Sequence, residues 1–192
     1  MLYINQLDYP HVKYYHNAAN GGPEEGKDNV ETSGCGLCCA CMMVEHLTTE
    51  KLALEECVKL SEENGANLKV GTSMRVLGKV VAEKYNLDFV MTNDKAEVLN
   101  HLRNGGELIA CVSGKHEGSL AVFTKNEHYI ALISAQDETV CILDPSYKEG
   151  KFDRDTVRDL ITVKEPFVYC HMDVVMEEAK SCDPAFYLFK RK

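Results

Sequence analysis

The spacing of the hydrophobic residues changes near the middle of this 192-residue chain. From residue 36 to residue 102, apolar residues recur at intervals of three and four, which predicts four helices. From residue 108 onward they form runs of four or five residues separated by turn-forming residues, which predicts a meandering antiparallel sheet. Helices that precede strands in this way are typical of the α+β class, so we expect an α+β fold.

Turn-forming and capping residues divide the two halves into segments. Helices are expected over residues 36–47, from a cap at 48–50 to residue 63, over 74–85 and over 96–102, with a short strand at 89–91. In the second half, strands are expected at 108–112, 120–123, 129–133 and 140–143. Residues 154–161 have a helical pattern, and closing strands are expected at 167–170 and 186–189.

A chain of this length most simply forms one domain, because a single core commonly grows to this size before a chain divides. Hydrophobic residues make up 45% of the sequence, which is enough for a sizeable core. We expect residues 1–192 to form one domain with an N-terminal arm (1–34), a mainly helical half (35–105) and a mainly antiparallel half (106–192). The arm has an irregular pattern, and residues 20–26 are predicted to form a surface loop.

The charge of the chain limits its partners. A formal net charge of −9 argues against nucleic acid or an anionic membrane as the main partner. No apolar run approaches the roughly 20 residues that a membrane-spanning helix needs, and the first residues lack the pattern of a signal peptide. We therefore expect a cytoplasmic protein in which the nine cysteines are reduced.

One of these cysteines has the setting of a reactive thiol. Cys35 lies between Gly34 and Gly36, at the start of the first predicted helix. At a helix N-terminus, unpaired backbone N–H groups and the positive end of the helix dipole favour thiolate over thiol. The two glycines allow tight backbone conformations and the close approach of a substrate. Cys35 is therefore a candidate nucleophile.

Two other roles for this thiol stay open. A free cysteine is often an inert buried residue, and Cys35, Cys38, Cys39 and Cys41 together form a run that can bind zinc or a cluster. On a helix, however, Cys41 points away from the face that the other three share, and no matching downstream pair is evident. We therefore predict that the chain holds no metal.

His128 and Asp144 bound a predicted hairpin. If its turn is centred near Gln136, the numbers of facing residues sum to about 272, and His128 lies opposite Asp144. A carboxylate beside an imidazole fixes its tautomer and stabilises its cation, but a register slip of one residue would separate the two. Most other histidines are expected to be solvated or to cap helices, and none has an evident carboxylate partner: His11, His16, His46, His101, His116 and His171.

A nucleophile, a base and an orienting group thus follow one another as Cys35, His128 and Asp144. The segments around them, residues 33–43, 127–133 and 142–145, resemble the papain-like cysteine peptidases related to the bacteriocin leader-processing (double-glycine) peptidases. The resemblance implies a papain-like fold in which Cys35 attacks a carbonyl, His128 acts as base and then acid, and Asp144 orients it. It covers residues 1–147, but Leu37 stands where relatives commonly have proline.

Relatives usually place a glutamine upstream of the nucleophile as an oxyanion donor. The resemblance offers Gln6, in a Gln-x-Asp pattern found in some longer relatives, and Asn29, which is six residues before Cys35 and near the spacing of shorter ones. We favour Gln6, with the backbone N–H of Cys35 as the second donor.

The function expected from these residues is that of a cysteine peptidase or amidase that acts on a peptide or protein through a thioester and needs no cofactor. An acyltransferase of the phytochelatin-synthase or transglutaminase type is an alternative, because the first half of both reactions is the same. A catalytically silent papain-like module that binds peptides or metal is the non-enzymatic alternative. The residues do not indicate the oligomeric state.

Overall fold

The computed structural model describes residues 1–15, 28–69 and 71–192, so the predicted loop at 20–26 and His16 lie outside the described residues. The described helices are α1 (Val30–Ser33), α2 (Cys35–Leu47), α3 (Leu54–Glu63), α4 (Met74–Lys84), α5 (Lys95–Arg103) and α6 (Met172–Glu178). The described strands are β1 (Leu87–Thr92), β2 (Glu107–Ser113), β3 (Glu127–Gln136), β4 (Thr139–Leu143), β5 (Thr162–Lys164), β6 (Phe167–His171) and β7 (Phe186–Arg191). Short 3₁₀ turns lie at Gln6–Asp8 and Arg158–Leu160.

The described strands form one antiparallel sheet in the order β1-β7-β2-β3-β4-β6-β5. Because side chains alternate along a strand, Ile109 and Ala131 share a core with α2, α3 and α4, whereas Leu108 and Ile130 share one with α5 and α6. The central strands are therefore buried on both faces, which explains their continuous apolar runs. The expected order of helices followed by strands, and with it the α+β class, is confirmed. None of the helices in the described ranges has the length and apolar character needed to cross a bilayer.

The predicted strand at 120–123 is wrong, because side chains from elsewhere hold this segment as a loop. The buried carboxylate of Glu178 accepts a hydrogen bond from the Val122 N–H at 2.8 Å. The Arg154 guanidinium donates to the Ala121 carbonyl at 2.6 Å. Ala121 also has a φ of 49°, which lies outside the strand region. These long-range contacts leave no signal in the local sequence.

Other differences are smaller. The helical pattern at 154–161 produces only the 3₁₀ turn Arg158–Leu160. α3 begins at Leu54 rather than directly after Thr48, because the Thr48 hydroxyl donates back to the Val44 carbonyl at 2.7 Å and so closes α2. The unpredicted elements α1, β5 and α6 are four, three and seven residues long. Elements this short leave little periodicity in a sequence.

Candidate active site

Cys35 is the first residue of α2, and its thiol is half-buried. Packing requires the glycine before it and favours the glycine after it. A Cβ on Gly34 would lie 2.6 Å from the Val30 carbonyl oxygen, and one on Gly36 would lie 3.2 Å from the Tyr129 ring. The glycines therefore let α1 and α2 meet at a tight corner and let α2 lie close to β3. The sequence predicts the position of the thiol correctly, and the packing gives the reason for its glycine neighbours.

His128 lies in β3, and Asp144 directly follows the last residue of β4. Nε2 of His128 lies 2.8 Å from Oδ1 of Asp144, and both side chains are buried. The His128 ring lines the same cleft as the thiol of Cys35 and lowers the pKa of that thiol. Because Nε2 of His128 is hydrogen-bonded to Asp144, the ring nitrogen available to this thiol is Nδ1. The fold therefore places the imidazole between the thiol and the carboxylate.

The hairpin register that achieves this differs from the predicted one. Near the turn, where residue 136 faces 139, the numbers of facing residues sum to 275, and beyond a β-bulge, where 132 faces 142, they sum to 274. The expected sum of 272 is therefore wrong, and His128 is not directly opposite Asp144. Because the numbers of facing residues sum to 274 here, residue 146 lies opposite His128. Asp144 is two residues away from residue 146 along the chain, so its side chain is on the same face as that of His128. Without the bulge, the two side chains would point to opposite faces.

Two residues that no sequence pattern indicates complete the surroundings of Asp144. Nζ of Lys151 lies 2.5 Å from Oδ2 of Asp144. The Ser146 hydroxyl oxygen lies 3.1 Å from both Oδ1 of Asp144 and Nε2 of His128. The Ser146 N–H also donates to Oδ1 of Asp144 at 2.9 Å. Both residues follow Asp144 in a loop without periodicity, so only the fold reveals their role.

Burial acts against charge at each of the three groups, but their contacts outweigh it. Burial would raise the pKa of Asp144, yet the charges and hydrogen bonds of His128 and Lys151 hold that pKa well below its usual value. Burial would lower the pKa of His128, yet Asp144 and Cys35 raise it to about 9. Burial would raise the pKa of Cys35, yet the hydrogen bond and charge of His128 lower it. The site therefore favours a thiolate, an imidazolium and an ionised carboxylate.

Gln6, the favoured oxyanion donor, is buried and lines the same cleft as Cys35. Its Nε2 donates to the Glu31 carbonyl at 2.6 Å, and its backbone N–H donates to the Pro145 carbonyl at 2.7 Å. The contact with Glu31 fixes which end of the amide is the donor, because two oxygens would repel at this distance. Nε2 carries two hydrogens, so this contact leaves one of them for an oxyanion.

Asn29, the other candidate, has a different position. It is the N-cap of α1, and its side-chain oxygen accepts a hydrogen bond from the Thr32 N–H at 3.0 Å. The Thr32 hydroxyl donates to the same oxygen at 3.1 Å. Asn29 is therefore engaged in capping α1. It is not among the residues that line the cleft beside Cys35.

A cleft of about 530 Å³ opens beside Cys35 and His128. Its size is in the range of ligand-binding sites. The N-terminal segment and α1 form one wall, and the chain before α4 together with β2, β3 and the loop between those strands forms the other. The further lining residues are Gln6, Thr32, Ser33, Leu68, Gly71, Thr72, Cys111, Lys115, Thr124, Asn126, Glu127, Tyr129 and Ser146.

The other cysteines of α2 have the setting of structural thiols. Cys38, Cys39 and Cys41 are fully buried, and burial raises the pKa of Cys38 and Cys39 well above the usual value. The sulfur of Cys39 donates to the Tyr129 carbonyl at 3.7 Å. A metal site needs deprotonated sulfurs that converge, and no three cysteines converge in the part of the chain that the structure describes.

Outside the cleft, Glu138, His171 and Asp173 have ligand atoms close enough to hold a metal ion. Nζ of Lys95 lies 2.5 Å from Glu138 and 2.6 Å from Asp173. This ammonium already compensates part of the charge of the two carboxylates. His171 caps α6, as expected for most of the other histidines, by accepting from the Asp173 N–H at 3.3 Å. Contrary to expectation, it also has carboxylate partners, because its Nε2 lies 3.3 Å from Glu138 and its Nδ1 lies 3.2 Å from Asp173.

His46 contradicts the expectation that the other histidines have no carboxylate partner. Its Nδ1 lies 2.8 Å from Oε2 of Glu107, and its Nε2 lies 2.8 Å from the Leu2 carbonyl oxygen. The side chain of His46 is 2% exposed. It lies on α2 and Glu107 lies on β2, so the two are 61 residues apart in sequence and only packing brings them together.

The sheet, the helical layer that carries a thiol at the start of α2, and the histidine on β3 beside an aspartate define the papain-like class of cysteine-peptidase folds. The chain is similar in structure to a C39-like peptidase from Bacillus anthracis, with a TM-score of 0.55 and 14% identity over 83% of this chain and 90% of the other. It is also similar to the peptidase domain of Streptococcus ComA, a bi-functional ABC transporter involved in a quorum-sensing pathway. For that domain the TM-score is 0.51 and the identity 14%, over 82% of this chain and 91% of the other.

The resemblance to papain-like peptidases of the bacteriocin-processing kind is thus confirmed at the level of the fold. The sequence matches no known family model and no curated protein.

Proposed function

We propose that this protein is a cysteine peptidase or amidase that cleaves a peptide or isopeptide bond through a thioester on Cys35. The observation that carries the proposal is the position of the His128 ring, which lines the same cleft as the Cys35 thiol, lowers the pKa of that thiol, and lies 2.8 Å from the Asp144 carboxylate. A nucleophile, a base and an orienting group in contact with one another are the arrangement that thiol-dependent acyl transfer requires. The peptidase folds of the structural neighbours support the same chemistry.

In the first step, the Cys35 thiolate attacks the carbonyl carbon of the bond to be cleaved, and the carbonyl oxygen becomes negative. The imidazolium of His128 then gives its Nδ1 proton to the leaving nitrogen, so the C–N bond breaks and an amine departs. The acyl group remains on the sulfur as a thioester. In the second step, neutral His128 takes a proton from water, which attacks the thioester and releases the carboxylic acid and the thiolate.

The oxyanion of each tetrahedral intermediate is assigned two donors. One is the backbone N–H of Cys35, whose position at the start of α2 leaves it without an intrahelical acceptor. The other is Nε2 of Gln6, which the Glu31 carbonyl orients. Donors fixed in this way need not reorganise when the charge develops. All proposed steps use side chains and backbone groups of this chain, water, and a peptide or protein substrate.

The proposal is tested with iodoacetamide and with a peptide library. We expect one thiol to be alkylated fastest at neutral pH, mass spectrometry to locate it at Cys35, and Cys35→Ala to abolish both this labelling and library cleavage. Cys141→Ala is the matched control, because Cys141 is a buried thiol on β4 that is not among the cleft residues. It should label and cleave like the unaltered protein.

Three outcomes count against the proposal. Slow, uniform labelling of all cysteines would remove the activated thiol, and cleavage that survives in Cys35→Ala would remove the nucleophile. Fast labelling of Cys35 without cleavage of any library member would favour a silent peptide-binding module. Mass spectrometry of the products, with a primary amine added, separates hydrolysis from acyl transfer, since transfer would add the mass of the amine.

A further inference from the structure

We propose that Lys151 and Ser146 are positioning residues of the active site. They hold Asp144 ionised, and they limit how strongly Asp144 attracts the proton of His128. This inference rests on the proposed function, because it assigns Asp144 the orienting role. Lys151 and Ser146 touch neither the thiol nor a substrate carbonyl in the proposed reaction, and they act on it only through Asp144 and His128.

Both carboxylate oxygens of Asp144 accept hydrogen bonds. Oδ1 accepts from His128, from the Ser146 N–H at 2.9 Å and from the Ser146 hydroxyl at 3.1 Å. Oδ2 accepts from Nζ of Lys151 at 2.5 Å. Nζ also donates to the Ser146 hydroxyl at 2.8 Å, so this hydroxyl links the ammonium to the carboxylate and the imidazole. Asp144 is 0% exposed, and the side chain of Lys151 is 12% exposed.

The fold fixes Lys151 in this place through the residue that follows it. Phe152 is buried, its ring lies 6.2 Å from that of Tyr147, and the two are nearly parallel. Gly150, on the other side, has a φ of 76°, a conformation that favours glycine. The backbone therefore turns sharply before Lys151 and is anchored directly after it. The ammonium, 5.7 Å from the centre of the Phe152 ring, is directed inward to Asp144 rather than to solvent.

The charges explain what this contact does. Thiolate, imidazolium, carboxylate and ammonium alternate in sign along the line from Cys35 to Lys151, and their sum is zero. Without the ammonium, the buried set would carry one negative charge. Burial of an uncompensated charge is unfavourable, so His128 would hold its proton more tightly and Cys35 would ionise less readily. Lys151 thereby keeps the pKa values of the thiol and the imidazole lower than the Asp144 carboxylate alone would leave them.

Two titratable groups from other elements packed around Asp144 carry no charge near pH 7. The Tyr3 hydroxyl, from the N-terminal segment, donates to the Asp144 carbonyl at 2.7 Å, and it is neutral near pH 7 because burial raises the pKa of Tyr3 above its usual value. Cys39, from α2, is also neutral, because burial raises its pKa. Among the described residues, the charged groups that act most strongly on the carboxylate are therefore His128, with Cys35 behind it, and Lys151.

The test measures the rate of Cys35 alkylation by iodoacetamide between pH 4 and 10, which needs no substrate. In Lys151→Gln we expect the midpoint of the rate profile to rise by about 0.5 to 1 pH unit, since an adjacent charge shifts a pKa by about 1 to 3 units and Cys35 lies farther away. Lys151→Arg keeps the positive charge, so its midpoint should equal that of the unaltered protein. Lys148→Gln is the matched control, because Lys148 lies in the same loop with its side chain exposed.

An unchanged midpoint in folded Lys151→Gln would overturn the inference. If that variant does not fold, Ser146→Ala decides instead, because it removes the hydroxyl that joins the three groups. A smaller upward shift of the midpoint in Ser146→Ala supports the inference. An unchanged midpoint in Ser146→Ala overturns it. His128→Ala separates this result from the proposed function. If His128→Ala leaves the profile of Cys35 unchanged, the peptidase proposal fails; if only the Lys151 and Ser146 variants are without effect, the peptidase proposal stands and the positioning role falls.

Discussion

The imidazole of His128 is hydrogen-bonded to Asp144 at 2.8 Å although the two residues do not face each other in the β3–β4 ladder. They are diagonal neighbours, and the bulge between Leu132 and Ser134 is what puts them on one face of the sheet. A bulge next to a site commonly aims a side chain in this way. The contact between His128 and Asp144 therefore depends on one extra residue in β3.

Removing the carboxylate should slow the reaction. In Asp144→Asn we expect peptide cleavage to fall by on the order of 10²-fold or more, because the amide cannot stabilise the imidazolium of His128. Steady-state kinetics with a cleaved library peptide measures the loss. Asp137→Asn is the control, since Asp137 lies at the tip of the same hairpin with a φ of 51°, where asparagine is well tolerated. Equal activity in the two variants would contradict the orienting role of Asp144.

The rate should depend on pH through the thiol and the imidazole. Since the pKa of Cys35 is lowered, kcat/KM should reach its plateau at a pH below the ordinary pKa of a thiol. Since His128 has a pKa of about 9 and must be protonated to donate to the leaving amine, the rate should fall above about pH 9. A profile that keeps rising to pH 10 would indicate an unpaired thiol.

Gln6 and Asn29 should respond in different ways to replacement by alanine. Gln6→Ala removes an assigned oxyanion donor, which typically costs about 10²- to 10³-fold in kcat. Asn29→Ala removes the cap of α1, which costs about 1 kcal/mol of stability and leaves the chemistry in place. Kinetics and denaturant unfolding of both variants separate the two effects. A large rate loss in Asn29→Ala alone would reverse the assignment.

His46 should stabilise the protein more near pH 6 than at pH 9. Both ring nitrogens face acceptors, the Glu107 carboxylate and the Leu2 carbonyl, so the ring is an imidazolium when both hydrogen bonds form. Burial would lower the pKa of His46, but Glu107 raises it above its usual value. Its contribution is therefore fully present below the unfolded pKa of about 6.5 and is lost as the pH rises through the raised folded pKa.

We expect His46→Gln to lower the free energy of unfolding by about 2 to 4 kcal/mol near pH 6 and by less at pH 9. Urea unfolding at both pH values measures the difference. His11→Gln, at an exposed histidine in the N-terminal segment, is the control and should change little at either pH. If the loss in the free energy of unfolding caused by His46→Gln were larger at pH 9 than at pH 6, the ring would be neutral in the native state.

Much of the fold follows from local patterns. α2, α4 and α5 lie within two residues of their predicted bounds, because their apolar spacing is regular and Asp94 caps α5 by accepting a hydrogen bond from the Glu97 N–H. Six of the described strands overlap predicted runs, and β2, β4 and β7 are the ones that burial on both faces makes continuously apolar. The segment at 120–123 is as apolar as the strands, but it forms a loop because the distant side chains of Glu178 and Arg154 bind its backbone.

The sequence by itself determined the class of fold, the helix start that carries Cys35, and the identity of the imidazole and carboxylate that meet there. These depend on residue types and short spacings, which local propensities encode. Only the tertiary structure decided the bulge that brings His128 and Asp144 to one face, the arrival of Lys151 and Ser146 at the carboxylate, and the buried contact of His46 with Glu107. Those contacts join residues on different elements or in a loop without periodicity, and their geometry is set by packing, which no single stretch of sequence specifies.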